Sequence, residues 1–317
     1  MSDKLRDKEI ICIESSSMVP RLKSLFHVIK STKNWLTVLN SHYFGDGSFE
    51  ARFRNGYKLN MTKEMWQGYI HHAYLFSLLP SAKLSKDRIE FIYKGKKLKF
   101  VFGKWGFDTI LEIFATDPYK NFMKIVNPMN KSVIDIGAAF GDTAIYFMLK
   151  GAKRVYAFEA FPGFSRLAEE NIRENGFANS CEVVPMAVGG ASGEMIINPD
   201  LRDMFGANLK PSLTGEKVPI VTLQQIIEKF NIKDGYLKID TEGYEYEIIQ
   251  NTPVDVLRRF SDILIEYHYG FEGIEPYLEK AGFMVSHTGP TRIYMPQFNS
   301  EPAKNMFTGH ILAKRQQ

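Results

Sequence analysis

At 317 residues the chain can hold one full α/β domain of about 150–200 residues and a second module. Its longest apolar runs, such as Ala73 to Leu79, fall far short of the ~18 residues that cross a bilayer. Cys12 and Cys181 are too few for a disulfide framework or a zinc site. The charged opening MSDKLRDKE lacks the apolar core of a secretory signal, so a cytoplasmic, reduced protein is expected.

Charge is unevenly shared. Residues 1–125 carry 21 Lys and Arg against 12 Asp and Glu, and the remainder 19 against 24. Two solvated surfaces of different character explain this first; an N-terminal module that recruits an anionic partner explains it second.

In chain order, residues 1–17 are polar and expected to be frayed. Helical apolar spacing runs from Val19 to Asn40, and a short hairpin from Phe49 to Leu59 turns at Asn55-Gly56. A second helix covers Thr62 to Leu79 and stops at Pro80. His71 and His72 lie in it about 100° apart, which suits structural roles and not chelation. Ile89–Tyr93 and Lys97–Phe102 read as a hairpin around Lys94-Gly95-Lys96, its lysines guarding an edge strand. A third helix is predicted from Thr109 to Phe122, and the N-terminal α+β module is assigned to residues 1–107.

Residues 108–317 read as a nucleotide-binding α/β domain. Val133 to Ile136 is a β-branched run typical of a buried parallel strand. It leads through Gly137–Gly141 into a helix at Asp142–Lys150, then into a second strand, Arg154–Phe158, tipped by Glu159. An acid at that strand end accepts hydrogen bonds from ribose hydroxyls. The spacing Gly137-x-x-x-Gly141 differs from the dinucleotide pattern, because Ala144 stands where a third glycine seats a pyrophosphate. Asp135, just before the loop, repels a pyrophosphate and suits a ligand with a cationic amino group, such as the methionine moiety of S-adenosylmethionine. An NAD site and a crossover that binds nothing are the alternatives.

The alternation continues with a helix at Pro162–Glu174 and a third strand at Glu182–Ala187. An inserted hairpin, Met195–Ile197 with Val218–Val221, is joined by a loop from Asn198 to Gly215. Then come a helix at Leu223–Phe230, a strand at Tyr236–Ile239 ending at Asp240, a helix at Tyr244–Gln250, a strand at Ile263–Tyr267 and a helix at Glu275–Ala281. Phe283–Ser286 and His310–Ala313 supply a closing antiparallel pair. The pattern predicts a seven-stranded, mostly parallel sheet with one reversed strand.

Ordered blocks from about Asp108 to His268 resemble the FkbM-type S-adenosylmethionine-dependent methyltransferases. They are VIDIGAAFGDTAIYF, VYAFEAFPGFSRLAEENIRENG, the Ala187-Val188-Gly189 turn, VTLQQII, LKIDTEGYEYEII and ILIEYH, with ILEIFATDPY as the lead-in. Ala139 stands where this family usually has asparagine, and Ala160 near a position where it often has proline. The resemblance implies the Rossmann-like class I methyltransferase fold with S-adenosylmethionine as cofactor. Gly137, Ala138, Gly141, Asp142 and Thr143 would then cradle the methionine end, beside Asp135. Glu159 and Ala160 would hold the ribose, Met186 and Ala187 would flank the adenine, and Asp240 would sit beside the sulfonium.

A hydroxyl acceptor must lose its proton, and Asp240, Glu242 and His268 are the candidates for that role. Glu242 and Glu245 also read simply as first-turn helix charges, and His268 as a strand-end histidine. No metal is expected; Asp240, Glu242 and Glu266 holding a divalent cation, as in some catechol-type methyltransferases, is the minor alternative. Asp117-Pro118-Tyr119 looks like the signature of amino-base methyltransferases, but it precedes the glycine loop and follows no strand. The expected acceptor is a hydroxyl on a sugar, lipid or secondary metabolite, a small molecule or glycan shaped in part by Pro199–Ser212 (Asp200, Arg202, Asp203, Phe205, Asn208 and Lys210). An RNA methyltransferase docking through the basic module, and a non-catalytic scaffold, are the other readings.

Overall fold

The computed structural model describes residues 18–45, 47–103, 106–197, 215–294 and 304–316. The chain divides into two units, one within residues 10–118 and one within 119–317. The Pro199–Ser212 loop lies outside the described residues.

The first unit begins with helices α1 (Met18–Ser31) and α2 (Trp35–Phe44), where one helix over Val19–Asn40 was expected. The break has a local cause. The Asn34 side chain takes the Arg52 N–H and donates to the Glu50 carbonyl, both at 2.8 Å. Lys33 N–H also reaches the Arg52 carbonyl. The segment thus pairs with β1 (Phe49–Arg52) and leaves the helix, as asparagine side chains often permit.

Strand β1 and β2 (Lys58–Met61) form the expected hairpin, followed by α3 (Trp66–Leu78). His71 pairs with Asp108 at 3.0 Å, while His72 Nδ1 faces the Gly68 carbonyl, so the two histidines have separate partners. Strands β3 (Lys83–Leu84), β4 (Arg88–Tyr93) and β5 (Lys96–Val101) make a second small sheet. It buries Ile89, Phe91, Leu98 and Phe100 on one face and turns Glu90, Lys97 and Lys99 outward. The helix predicted at Thr109–Phe122 is not continuous. Its π-helical stretch Leu111–Thr116 stops at Asp117, which has φ 47°. Pro118 disfavours a helical residue before it and offers no N–H.

The second unit holds the main sheet. Its strands are β6 (Ser132–Ile136), β7 (Arg154–Phe158), β8 (Cys181–Val184), β12 (Gly235–Ile239), β13 (Phe260–Tyr267), β14 (Phe283–His287) and β16 (Asn305–Arg315), in the order β14-β16-β13-β12-β6-β7-β8. All neighbours pair in parallel except β16, which is antiparallel to both β13 and β14. The predicted seven-strand pattern with one reversed strand is therefore present, and β15 (Thr291–Tyr294) adds a short pairing to β16.

Helices α4 (Asp142–Leu149) and α5 (Pro162–Glu174) provide the first crossovers. The third strand is shorter than predicted. Pro185 has no N–H for the ladder, so β8 ends at Val184. Ala187–Val188 then forms β9, which pairs with β11 (Glu216–Val221) of the inserted hairpin; β10 (Gly193–Ile197) is the other arm. After the hairpin come α6 (Leu223–Lys229), α7 (Glu245–Gln250), α8 (Val254–Leu257) and α9 (Glu275–Lys280). Every residue of β12 is buried, and each large aliphatic side chain buried there contributes about 1.5–3 kcal/mol. Strand order reverses between β6 and β12, which opens a crevice at the carboxyl ends of the strands.

Candidate active site

The loop after β6 is shaped by contacts within the protein. Gly137 has φ 76°, and a Cβ there would lie 1.7 Å from the Asp240 carbonyl oxygen. Gly141 has φ 75°, and a Cβ would press on the Ala168 backbone of α5 at 3.2 Å. The Gly137 and Ala138 N–H groups both donate to the Phe158 carbonyl, and Gly141 N–H donates to Ala138. Ala139 N–H donates to Glu159 at 2.8 Å. These four amides are thus committed inside the protein, which narrows the expected peptide cradle to the remainder of the turn.

Glu159 sits at the end of β7 with its side chain buried. Its second oxygen takes the Phe161 N–H at 2.8 Å. Burial pushes its pKa up to about 7, against the pull of the two backbone N–H groups. Beneath the loop, Asp135 is fully buried and accepts the Thr143 hydroxyl at 2.7 Å. Burial holds Asp135 above the ordinary carboxylate range, partly offset by Lys238. Asp142 caps this corner as the first residue of α4, accepting the Thr143 N–H.

Ala160, Met186 and Ala187 are half-buried near the same strand ends. Met186 joins Phe158, Val184, Val221, Ile226 and Phe230 around an apolar cleft of about 410 Å³.

Four acidic residues gather where β12 and β13 end. Asp240, Glu242 and Glu266 have side chains 26%, 30% and 25% exposed, whereas Glu245 has 0%. Glu242 has φ 53°, an uncommon backbone for a side chain that branches beyond Cβ. Glu245 organises the whole turn. One of its oxygens takes the Gly243 N–H and the Thr241 hydroxyl; the other takes the His268 N–H and faces His268 Nδ1 at 3.0 Å. That is far from a solvated first-turn charge.

His268 is 4% exposed, with Nε2 3.3 Å from Glu242. Burial alone lowers an imidazole pKa, but Glu242 and Glu245 outweigh it and hold His268 well above its ordinary value. Its two ring nitrogens are thus held between Glu242 and Glu245. Asp240, Glu242 and His268 each put a donor atom within 4.8 Å of the others, yet both imidazole nitrogens are already engaged by carboxylates. Glu266 instead faces His310 at 3.5 Å.

Burial raises Asp240 above the ordinary carboxylate range, and Lys238 opposes this. Lys238 was not singled out in the sequence. Its amine reaches the Gly137 carbonyl at 2.9 Å, Asp135 at 3.3 Å and Asp240 at 3.4 Å. The available signal was a lone cation inside the apolar run Tyr236–Ile239, where a charge must have partners. Asp117, by contrast, accepts the Tyr93 hydroxyl in the first unit and belongs to no strand end.

This sheet order, with its glycine loop and acid-tipped second strand, defines the Rossmann-like methyltransferase class. Residues 135–285 match the family model described as the methyltransferase FkbM domain. The chain thus carries an FkbM methyltransferase domain and is an S-adenosylmethionine-dependent methyltransferase. No curated protein matches it. Among solved structures, it is similar to a precorrin-6y C5,15-methyltransferase from Geobacter metallireducens GS-15. That likeness is at 15% identity and TM-score 0.37, over 64% of this chain and 90% of that one. It is also similar to M. capricolum TrmK in complex with S-adenosylhomocysteine, at 12% identity and TM-score 0.36, over 62% and 67%.

The residues present fit the cofactor. The turn carries no side chain at Gly137 and Gly141, and the buried Glu159 carboxylate stands at the end of β7. An apolar cleft adjoins it.

Proposed function

We propose that this methyltransferase acts on a hydroxyl of a neutral small molecule or glycan: a sugar, lipid or secondary metabolite. The observation that carries the reading is the set of accessible carboxylates, Asp240, Glu242 and Glu266, at the carboxyl ends of β12 and β13. The cofactor supplies a methyl group already activated on a sulfonium. Glu159 keeps lone pairs for the ribose hydroxyls, and the cleft beside Met186 and Ala187 takes the adenine. Asp135 and Thr143, braced against each other, hold the loop that receives the methionine end.

Asp240, at the end of β12, would stand beside the sulfonium and take the acceptor's proton, for which a carboxylate raised above its ordinary range is suited. Glu242, paired with His268, aligns the acceptor. Alignment accounts for up to ~7–11 kcal/mol of such a displacement, and proton removal for about 10²–10⁴ in rate. The same carboxylates oppose RNA as acceptor, since phosphates would approach like charge. The outward Lys97 and Lys99 remain the feature that favours that second reading.

Calorimetric titration with S-adenosylhomocysteine, and with NADH in parallel, tests the cofactor site. Micromolar binding of the first alone, weakened at least tenfold in Glu159→Ala, is expected. Release of S-adenosylhomocysteine from S-adenosylmethionine is then followed with uncharged polyols, sugar phosphates and RNA. Turnover with RNA alone would overturn the neutral-acceptor reading. Cofactor binding without turnover on any acceptor would favour a scaffold.

A further inference from the structure

We propose that Lys238 is a positioning residue: its ammonium, hydrogen-bonded to the Gly137 carbonyl and ion-paired with Asp135 and Asp240, ties the glycine loop to Asp240 and sets the charge at the transfer point. The inference rests on the placement of Asp240 beside the sulfonium.

Geometry carries it. Lys238 and Asp135 stand directly opposite each other on β12 and β6, so the amine emerges between two strand ends and not into solvent. Its side chain is 2% exposed. A buried amine with several charged partners is a poor source of stability, because an apolar side chain of similar volume often serves the fold as well. What an apolar side chain does not supply is a positive charge between a sealed carboxylate and an accessible one. Asp135 is wholly buried under the loop, whereas Asp240 is open to the crevice. The third contact, at 2.9 Å to the Gly137 carbonyl, joins that charge to the loop.

Without the ammonium, Asp135 and Asp240 would share a low-dielectric corner as like charges, and one would take up a proton. The other groups acting on Asp240 are Glu266 and His268 at the end of β13 and Glu242 in the turn. Asp142 at the start of α4 acts on Lys238. Glu245 and His310 stand behind His268 and Glu266. Lys238 is the cation of this group that contacts the loop and Asp240 together.

The test compares affinities for S-adenosylmethionine and S-adenosylhomocysteine by calorimetry from about pH 5 to about pH 9. The two ligands share their amino-acid ends, so those titrations cancel in the ratio, and the ratio reads the charge facing the sulfonium. In the wild type the preference for the sulfonium is expected to grow with pH as Asp240 ionises, by on the order of tenfold. In Lys238→Met the midpoint of that rise should move upward by about one pH unit or more. Lys238→Arg, which keeps the charge, should hold the midpoint nearer the wild-type value.

A Lys238→Met protein that binds both ligands more weakly with an unmoved midpoint would overturn the proposal, because that is the behaviour of a packing residue. If Lys238→Met does not fold, Asp240→Asn decides: the ratio must become independent of pH. A pH-dependent ratio in that variant, or a flat one in the wild type, would also overturn it. Wild-type protein that binds neither ligand would instead sink the cofactor site itself.

Discussion

Ala139 holds a left-handed backbone, φ 44°, with no side-chain help. Asparagine, which the FkbM family usually carries there, tolerates this conformation far better, whereas an ordinary L-residue gives up roughly 1–2 kcal/mol. Ala139→Asn should therefore raise stability by about 0.5–1 kcal/mol, read as a higher urea midpoint. Gly137→Ala should do the reverse: its Cβ would meet the Asp240 carbonyl at 1.7 Å. A loss of about 3 kcal/mol or more, with loss of S-adenosylhomocysteine binding, is expected.

Glu159 gives a pH signature. Its folded pKa, about 7, lies above the ordinary 4.5, so the protein favours the protonated form. That contribution is complete below about pH 4.5 and is lost as pH rises through about 7, by up to about 3 kcal/mol. Unfolding at about pH 5 and about pH 8 should show a steeper fall in the wild type than in Glu159→Gln; equal slopes would refute the assignment. The glycine loop and Glu159 were legible because their signals are contiguous. Lys238 and Glu245 were not, because their meaning lies in partners such as Gly137 and His268, about 101 and 23 positions away in the chain.

Elements were read well where one periodicity dominated. α5 and β7 fall where proline, glycine and apolar spacing put them. The misreadings have local chemistry in common: Asn34 diverts a helix into strand pairing, Pro118 ends another, and Pro185 splits the third strand. Each is a backbone donor lost or redirected, which an apolar pattern does not report. The capping box of α6 is the converse case. Thr222 accepts the Gln225 N–H while the Gln225 side chain takes the Thr222 N–H. Thr222→Ala should lower stability by about 0.5–2 kcal/mol, with the slope of urea unfolding unchanged.

At the level of the whole molecule, the residues proposed for cofactor and transfer all lie within residues 119–317, and the lysine-bearing small sheet lies within 10–118. The double substitution Lys97→Glu with Lys99→Glu should therefore leave S-adenosylhomocysteine affinity within about twofold, as expected for residues that share no partners with the site. A larger change, measured by the same calorimetry, would mean that the two units share the site. The sequence made the sheet readable at this scale but not the place of its last strand. β13 and β14 follow one another in the chain, yet β16 lies between them. During synthesis both neighbours emerge before the strand that joins them. Until residues 305–315 arrive, one edge of β13 stays unpaired and β14 has no strand to pair with. The nascent protein is thus most exposed to mispairing and to chaperone capture just before its sheet closes.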